Sequence, residues 1–370
     1  MKKIGILTFW AVPNYGAFLQ AYALQKIIQK RYKNFEVKQI PYLNEKHYNT
    51  YYSRSIKKNY RYWIINPKFY VAFLHRKEHD KQVESLKRFI DYYNDLIPNY
   101  NEIYKLGIEN LKVDTLILGS DIIWDYSEDF FGSDGYLFGN GINAETKISY
   151  APSFGSVSGG FDAPTYVKRG VNELTAVSVR DKKSVEIVKN ISGKTADVVL
   201  DPTLLWNFID DENVVKPNSQ KYIVVYGSFF TQELILGAKK YSKMHNLRLI
   251  CLSSLDDRYD WCDENINQDE LNPFEWVGYF KYADAVMTCT YHGLLFSLIF
   301  KKKIIFNMTE FILNKSQSFI EDLGLSDVLV NFNHFDEKIN WNWNYKEIDD
   351  KLEMLRQKSF DFLDGVICNE

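Results

Sequence analysis

Residues 3–40 read KIGILTFWAVPNYGAFLQAYALQKIIQKRYKNFEVKQI, and this stretch decides the fold class of the chain. Residues 3–8 form a short apolar run typical of a buried strand, and residues 13–16 (Pro-Asn-Tyr-Gly) interrupt it. Residues 17–31 carry apolar side chains at helical spacing, and residues 35–40 return to a strand pattern. This succession predicts a βαβ unit, in which the two strands lie parallel and the crossover is right-handed.

Short apolar runs recur along the rest of the chain, with helical stretches between most of them. They form two series separated by a polar stretch at 207–220, which we interpret as a linker. The alternation predicts an α/β fold with two doubly wound, Rossmann-like domains rather than one long sheet. The predicted strands are 115–118, 147–151, 176–179 and 197–200 in the first series, and 222–226, 247–252, 285–288 and 304–306 in the second.

The predicted domain organisation follows from these two series. Residues 1–206 form an N-terminal domain, and residues 221–340 form a C-terminal domain. Residues 345–364 show the pattern of an amphipathic helix, and we expect the C-terminal part, 341–370, to pack back toward the N-terminal domain. Residues 44–82, rich in Tyr, Lys, Arg and Asn without a clean strand pattern, are interpreted as an insertion near the cleft mouth. Contact with a membrane surface or an acceptor is the alternative to a solvated insertion.

Composition limits the partners and the compartment of this 370-residue chain. Its formal net charge is −3, which argues against nucleic acid as the main partner, because backbone binding normally needs a basic excess. The four cysteines are scattered, and no Cys or His pair has zinc spacing, so we predict no metal site. No apolar run approaches the about 20 residues that span a bilayer, and the start of the chain has too short an apolar part for a signal peptide. We therefore expect a cytoplasmic protein, with the inner face of the membrane as a second possibility.

Residues 288–293 (Thr-Cys-Thr-Tyr-His-Gly) follow the strand 285–288 and precede an apolar helix that is predicted to begin near Gly293. The N-terminus of such a helix favours anions, and it lies at the edge where open α/β sheets bind ligands. A bound anion would favour protonated His292 and make it a competent acid. A structural histidine that caps the turn is the alternative.

Arg180 ends the strand 176–179 and could bind a phosphate or carboxylate with two parallel hydrogen bonds. A surface ion pair with Asp181 is the alternative. Residues 201–205 (Asp-Pro-Thr-Leu-Leu) are interpreted as a turn that closes the strand 197–200, an architectural feature rather than a catalytic one.

Two further loops could hold a sugar. Ser120, Asp121 and Trp124 follow the strand 115–118, and together they offer hydrogen bonds and a ring for stacking; Asp121 could instead cap a helix. The loop containing Asn14, Tyr15 and Gly16 could receive a phosphate or a sugar. It lacks the glycine spacing of dinucleotide sites and of P-loops, which argues against NAD, FAD and ATP.

Six segments, taken in order, resemble the polysaccharide pyruvyl transferase family. Each is weak alone, but the ordered set spans roughly residues 4–306. The matching segments are NYGAFLQAYAL (14–24), GSDIIW (119–124), SYAPSFG (149–155), SVRD (178–181), DPTLL (201–205), and ADAVMT (283–288) leading into YHG (291–293).

The resemblance implies a GT-B-like fold, with two Rossmann-like domains facing a cleft. It also implies transfer of pyruvate from phosphoenolpyruvate to sugar hydroxyls, giving a ketal during synthesis of a cell-surface polysaccharide such as a capsule or exopolysaccharide. The expected partners are phosphoenolpyruvate and a sugar or lipid-linked oligosaccharide, with peripheral membrane association as an option and no cofactor. By the family pattern, His292 is the expected general acid, and Arg180 contacts the donor's anionic groups.

The remaining site residues are assigned because they lie in the same loops as these motifs. Donor binding is assigned to Arg180, Thr290, Tyr291, His292 and Gly293. Acceptor binding is assigned to Asn14, Tyr15, Gly16, Ser120, Asp121 and Trp124.

The sequence departs from the family pattern at three positions. Some members carry Arg two positions before the motif histidine, where this chain has Thr290. Asp181 stands where Glu is usual, and Ile122 where Gln is common. The first departure removes one expected donor contact. Two other functions therefore stay open: a GT-B-like glycosyltransferase that uses a nucleotide sugar, and a non-catalytic carbohydrate-binding protein of a polysaccharide assembly complex.

Overall fold

The computed structural model describes residues 1–10, 14–40, 42, 108, 111–128, 133–253 and 259–368. The insertion predicted at 44–82, with its alternative membrane or acceptor contact, lies outside the described residues.

The N-terminal sheet has six parallel strands in the described residues, in the spatial order β2-β1-β3-β4-β5-β6. The order reverses between β1 and β3, which is the arrangement of a doubly wound sheet. The strands are β1 (Lys2–Leu7), β2 (Phe35–Gln39), β3 (Lys112–Leu118), β4 (Asn143–Ser149), β5 (Ala176–Val179) and β6 (Asp197–Val198), and the helices are α1 (Tyr15–Arg31), α2 (Thr165–Glu173) and α3 (Lys182–Ser192).

The C-terminal sheet has five parallel strands in the order β11-β10-β7-β8-β9, which is the Rossmann order when counted from β7. Two doubly wound sheets confirm the predicted fold class. The strands are β7 (Tyr222–Tyr226), β8 (Arg248–Ser253), β9 (Glu264–Asn267), β10 (Ala285–Thr288) and β11 (Lys303–Phe306), and the helices are α4 (Gln232–His245), α5 (Pro273–Tyr282), α6 (Tyr291–Ile299), α7 (Glu310–Leu323), α8 (Phe335–Ile339) and α9 (Tyr345–Ile367).

Helix α1 is buried on almost all sides and belongs to the cores of both domains. Phe18 and Tyr22 on α1 pack edge-on against Phe274 of the C-terminal domain, with ring centroids 6.2 and 5.0 Å apart. Tyr15 stacks on Trp276 at 5.6 Å. A helix that is apolar on every face is stable only when it is enclosed, so α1 fixes the two domains against each other.

The predicted linker does connect the two sheets, but it is not a solvated tether. Phe208 is fully buried, and the Asp211 carboxylate accepts hydrogen bonds from Tyr22 Oη at 3.0 Å and Trp206 Nε1 at 2.7 Å. Most of the other polar side chains in this stretch are exposed, so only part of it belongs to the interdomain contact.

Helix α9 contacts the N-terminal domain. Leu363 and Ile367 pack with Ile4 and Ile6 of β1. The buried Ser359 hydroxyl accepts a hydrogen bond from the Leu200 backbone N–H at 3.0 Å and donates one to the Leu355 carbonyl at 2.8 Å. One side chain therefore satisfies a backbone donor at the end of the N-terminal sheet.

Substitution Ser359→Ala is expected to leave the buried Leu200 N–H without its partner. An unsatisfied buried donor costs about 1–3 kcal/mol, so the free energy of unfolding should fall by that amount in a denaturant titration. Exposed Lys358 on the same helix provides the control, because Lys358→Ala should change stability by less than about 0.5 kcal/mol. Equal stability of Ser359→Ala and the wild type would contradict this assignment.

Candidate active site

A cleft of about 530 Å³ opens where the carboxyl ends of β3 and β5 face the N-termini of α6 and α7. Both domains contribute to its walls, as the GT-B-like prediction requires. Six of the residues assigned from sequence line it: Asn14, Asp121, Arg180, Thr290, Tyr291 and His292.

Arg180 and His292 line this cleft, and both approach the buried carboxylate of Asp201, which lies outside its lining. Arg180 Nη1 lies 3.1 Å from a carboxylate oxygen of Asp201, and His292 Nε2 lies 3.8 Å from the same oxygen. The His292 distance exceeds that of a hydrogen bond, and Nε2 has no hydrogen-bond partner among the described residues. The carboxylate thus joins a cation of the N-terminal domain to the histidine of the C-terminal domain.

Asp201 is the functional residue that the sequence analysis missed, because it treated residues 201–205 as architecture. Its side chain is fully buried, and it also accepts hydrogen bonds from Thr203 N at 3.0 Å and Thr203 Oγ1 at 2.7 Å. Burial opposes its ionisation, but His292 and Arg180 outweigh burial and hold the pKa of Asp201 below its usual value. The residue is therefore an ionised carboxylate between two cation-forming groups.

Arg180 lies inside the cleft wall, so the alternative of a surface ion pair with Asp181 is wrong. Asp181 caps α3 instead: its carboxylate accepts from Ser184 N at 2.8 Å and from Ser153 Oγ at 2.7 Å. The Arg180 guanidinium carbon lies 4.5 Å from the centre of the Tyr291 ring, a cation–π contact. Asp201 and Tyr291 together fix the guanidinium at the cleft.

Helix α6 begins at Tyr291, two residues before the predicted start. Thr290 is its N-cap, and the Thr290 hydroxyl accepts the Gly293 N–H at 3.1 Å. A Cβ at Gly293 would overlap the Thr288 hydroxyl, so this glycine is required by close packing. The Gly293 amide is thus occupied by the cap, which corrects the assignment of Gly293 to donor binding.

The acceptor assignments divide into two groups. Asn14 caps α1 and lines the cleft, and Asp121 lines it with φ of 79° and a carboxylate that accepts the Ile122 N–H at 2.8 Å. The other assigned residues do not line the cleft. Gly16 lies against His292 instead.

Ser120, Trp124 and Tyr15 do not contact the cleft, which corrects their assignment to acceptor binding. Ser120 and Trp124 are fully buried; Ser120 Oγ donates to the Ala151 carbonyl at 3.2 Å, and Trp124 Nε1 to that of Leu137 at 3.0 Å. Tyr15 donates to the carbonyls of Gln268 and Leu271 across the domain boundary. Their polar atoms serve packing, so no edge or ring is left for a sugar.

Lys315 of α7 also lines the cleft, and the sequence analysis did not single it out. Its residue exposure is only 8%, which is unusual for a lysine. A lysine on the otherwise apolar stripe of Ile312 and Ile320 was the available signal.

Gly16 brings the start of α1 against the His292 ring. A Cβ at residue 16 would overlap Nδ1 of His292, so only glycine permits this approach. The contact joins the helix that both domains share to the histidine at the cleft.

Substitution Gly16→Ala is therefore expected to displace His292 and to lower the free energy of unfolding by about 1–3 kcal/mol, the usual cost of overpacking. The matched control is Gly365→Ala in α9, where a new Cβ meets nothing within 4 Å. Because alanine has the higher helix propensity, the control should raise stability by up to about 1 kcal/mol. Denaturant titration of both variants checks the pair; stability losses of equal size would refute the steric explanation.

No cluster of three or more His, Cys, Asp or Glu side chains with metal-binding geometry occurs in the described part of the chain. Among the same residues, no helix has the length and apolarity needed to cross a bilayer.

Fold and site together define a two-domain α/β protein whose interdomain cleft is lined by a histidine, an arginine and a lysine. The family model for polysaccharide pyruvyl transferase matches residues 14–306, and the chain belongs to that family. A comparison with curated proteins finds no match.

The comparison with solved structures gives several distant likenesses. The chain is similar to an S. aureus MnaA–UDP co-structure, with a TM-score of 0.46 at 11% identity over 97% of this chain and 91% of that one. It is also similar to UDP-GlcNAc 2-epimerase from Neisseria meningitidis bound to UDP-GlcNAc. The TM-score is 0.43 and the identity 10%, over 98% of this chain and 100% of that one. A third similar structure is the glycosyltransferase SnogD from Streptomyces nogalater. Its TM-score is 0.40 and its identity 11%, over 98% of this chain and 95% of that one.

Proposed function

We propose that this protein transfers a pyruvyl group from phosphoenolpyruvate to sugar hydroxyls, forming a pyruvate ketal during the synthesis of a cell-surface polysaccharide. Membership of the polysaccharide pyruvyl transferase family supports a transferase of this kind. The observation that carries the proposal is that Arg180 and His292, which line the cleft from different domains, approach the same buried carboxylate.

The charge of the donor explains why this cleft suits it. Phosphoenolpyruvate carries a phosphate and a carboxylate on a small frame, and it therefore needs cationic groups on more than one side. Arg180 lines the cleft on the side of the N-terminal domain. His292 and the N-terminus of α6 line it on the side of the C-terminal domain. The dipole of α6 adds to the attraction of an anion at that end.

His292 is proposed as the general acid. Asp201 faces Nε2 of the ring, and His292 lines the cleft where the donor would bind. Protonated His292 donates a proton to the methylene carbon of the donor, and the adjacent carbon C2 becomes cationic. Asp201 acts through His292 as a positioning residue, because its negative charge stabilises the imidazolium and orients the ring.

The ketal then forms in two additions at C2. A first sugar hydroxyl attacks the cationic carbon and forms a C–O bond, and its proton returns to the now neutral His292. A second hydroxyl of the same sugar attacks C2 while the bond between C2 and the phosphate oxygen breaks, and the second proton leaves with the phosphate. No step requires a metal ion or an organic cofactor.

Asn14 and Asp121 are the assigned acceptor residues that line the cleft, so we place the sugar next to α1 and the loop after β3. We propose a sugar or a lipid-linked oligosaccharide as acceptor, and the cytoplasm as the compartment where phosphoenolpyruvate is met.

The donor test uses the full chain with phosphoenolpyruvate, UDP-sugars and GDP-sugars in parallel. We expect phosphoenolpyruvate alone to raise the melting temperature, because a ligand that binds only the folded state stabilises it. Acceptor-dependent release of inorganic phosphate should accompany it. Stabilisation by a nucleotide sugar with release of its nucleotide would favour the glycosyltransferase alternative. Sugar binding without release of phosphate or nucleotide from any donor would favour the non-catalytic alternative.

Substitution His292→Asn is expected to lower the rate of phosphate release by about 10²–10⁴-fold, the usual contribution of general acid catalysis. Folding should persist, because Arg180 still compensates Asp201. The matched control is His334→Asn, since His334 is exposed at the start of α8, and its turnover should equal that of the wild type. Near-normal turnover of His292→Asn would remove His292 from the mechanism.

A further inference from the structure

Two kinds of side chain line the cleft. Arg180 and His292 are cation-forming groups that suit the small anionic donor proposed above. The lining also contains large apolar and aromatic side chains, namely those of Phe9, Ile122, Tyr226, Phe229 and Ile312. A doubly charged donor gains nothing from these walls, because a charge held against apolar atoms costs free energy. The apolar part of the lining therefore suits a second ligand.

Phe229 differs from the other apolar residues of this lining in its exposure. Its residue is 70% exposed to solvent, whereas Phe9, Ile122 and Ile312 are buried. A phenylalanine ring that stays in water forgoes the free energy that burial provides. Single exposed apolar residues are common on protein surfaces, but this ring lies in a cleft, where a ligand can cover it.

The loop that carries Phe229 is anchored on both sides. The Tyr259 hydroxyl donates to the Gly227 carbonyl at 2.7 Å, and the side-chain amide of Asn307 donates to the Phe229 carbonyl at 2.8 Å. The next residue, Phe230, packs on Tyr259 with ring centroids 5.8 Å apart. The backbone of the loop is thus held in place, with one phenylalanine packed inward and the other exposed. A ring on a fixed backbone loses little freedom when a ligand covers it.

A pyranose sugar matches the groups that this cleft combines. Its hydroxyls lie around its edge and bind polar side chains, while its C–H groups form an apolar face that packs on an aromatic ring. Asn14 and Asp121 line the same cleft and carry polar atoms for the edge. The sequence analysis expected the ring at Trp124, which is buried in the core, and Phe229 presents an accessible ring instead.

We propose that Phe229 forms the acceptor subsite, where its ring stacks on the C–H face of the sugar that receives the pyruvyl group. This inference rests on the proposed function, since it assigns the sugar of that reaction to a residue. Phe229 is then a specificity-determining residue. An axial hydroxyl on the stacked face places an oxygen without a hydrogen-bond partner against the ring, which costs free energy.

The binding test is saturation-transfer difference NMR on the full chain. The probes are methyl β-D-galactopyranoside, methyl β-D-glucopyranoside and methyl α-D-mannopyranoside, which differ in the hydroxyl that is axial. When the aromatic protons of the protein are saturated, the sugar protons that lie against a ring receive the most saturation. For the wild type we expect strong transfer to the C–H protons on one face of at least one glycoside. Phe229→Ala should lose most of this transfer.

The matched control is Phe161→Ala. Phe161 is 72% exposed, much like Phe229, but it belongs to the N-terminal domain and does not line the cleft. Both variants should keep the melting temperature of the wild type, because an exposed ring makes few contacts within the fold. Transfer should persist in Phe161→Ala. Equal transfer in Phe229→Ala and in the wild type, or an equal loss in both variants, would overturn the inference.

A second pair of variants separates stacking from simple apolar contact. Phe229→Leu keeps an apolar side chain without a ring, and Phe229→Tyr keeps the ring. For the glycoside that the wild type uses, Phe229→Leu should raise the acceptor KM by about 10-fold, the usual scale of an aromatic contact. Phe229→Tyr should equal the wild type. The KM for phosphoenolpyruvate should stay constant in both, and a rise in this donor KM alone would overturn the inference.

The outcomes distinguish the two proposals. If a pyruvyl group is transferred and Phe229→Ala keeps the acceptor KM of the wild type, the inference fails and the proposed function stands. If glycoside binding depends on Phe229 but phosphoenolpyruvate yields no transfer, the sugar subsite stands and the proposed function fails. If the wild type binds none of the glycosides, the inference is overturned as well.

Discussion

The site depends on a carboxylate that has been removed from water. Asp201 is fully buried, and a buried charge persists only when opposite charges and hydrogen-bond donors compensate it. Thr203 supplies the donors, Arg180 supplies the opposite charge, and His292 faces the same carboxylate. These groups come from the ends of two strands in one domain and from the start of a helix in the other. Their contacts to one carboxylate therefore hold the two walls of the cleft in position.

Helix α1 holds the two domains together by packing, in addition to the electrostatic contacts of Asp201. Its aromatic side chains pack into the C-terminal domain, while Leu24 and Ile28 pack with the N-terminal sheet. Its first residues, Asn14 and Gly16, reach the cleft and the His292 ring. The same helix therefore holds the domains together and sets the position of the histidine.

The sequence was most informative for strands that consist of one short apolar run. The strands 176–179, 222–226 and 285–288 were predicted with the observed bounds, because each is a short apolar run that is buried within its sheet. Strand β9 was missed, since Glu264–Asn267 is a polar stretch at the sheet edge and carries no apolar run. The start of α6 was placed two residues late because Thr290 was not recognised as its cap.

The site was less predictable, because it depends on side-chain direction and on tertiary contacts. His292 and Arg180 lie at strand ends of parallel sheets, where ligands generally bind, and the rule placed both at the cleft. The same rule failed for Trp124, because the loop after β3 turns its ring into the core between Phe138 and Phe154. Nothing local to Asp201 in the sequence reveals that its neighbours in the structure are Arg180 and His292.

The contact between Gly16 and His292 also links the geometry of the cleft to the assembly of both domains. The histidine belongs to one domain, but its ring is seated by the backbone of a helix from the other. A chain in which only one half has acquired its native shape thus lacks the contact that orients this ring. The native position of His292 therefore emerges only when both halves have folded and packed together.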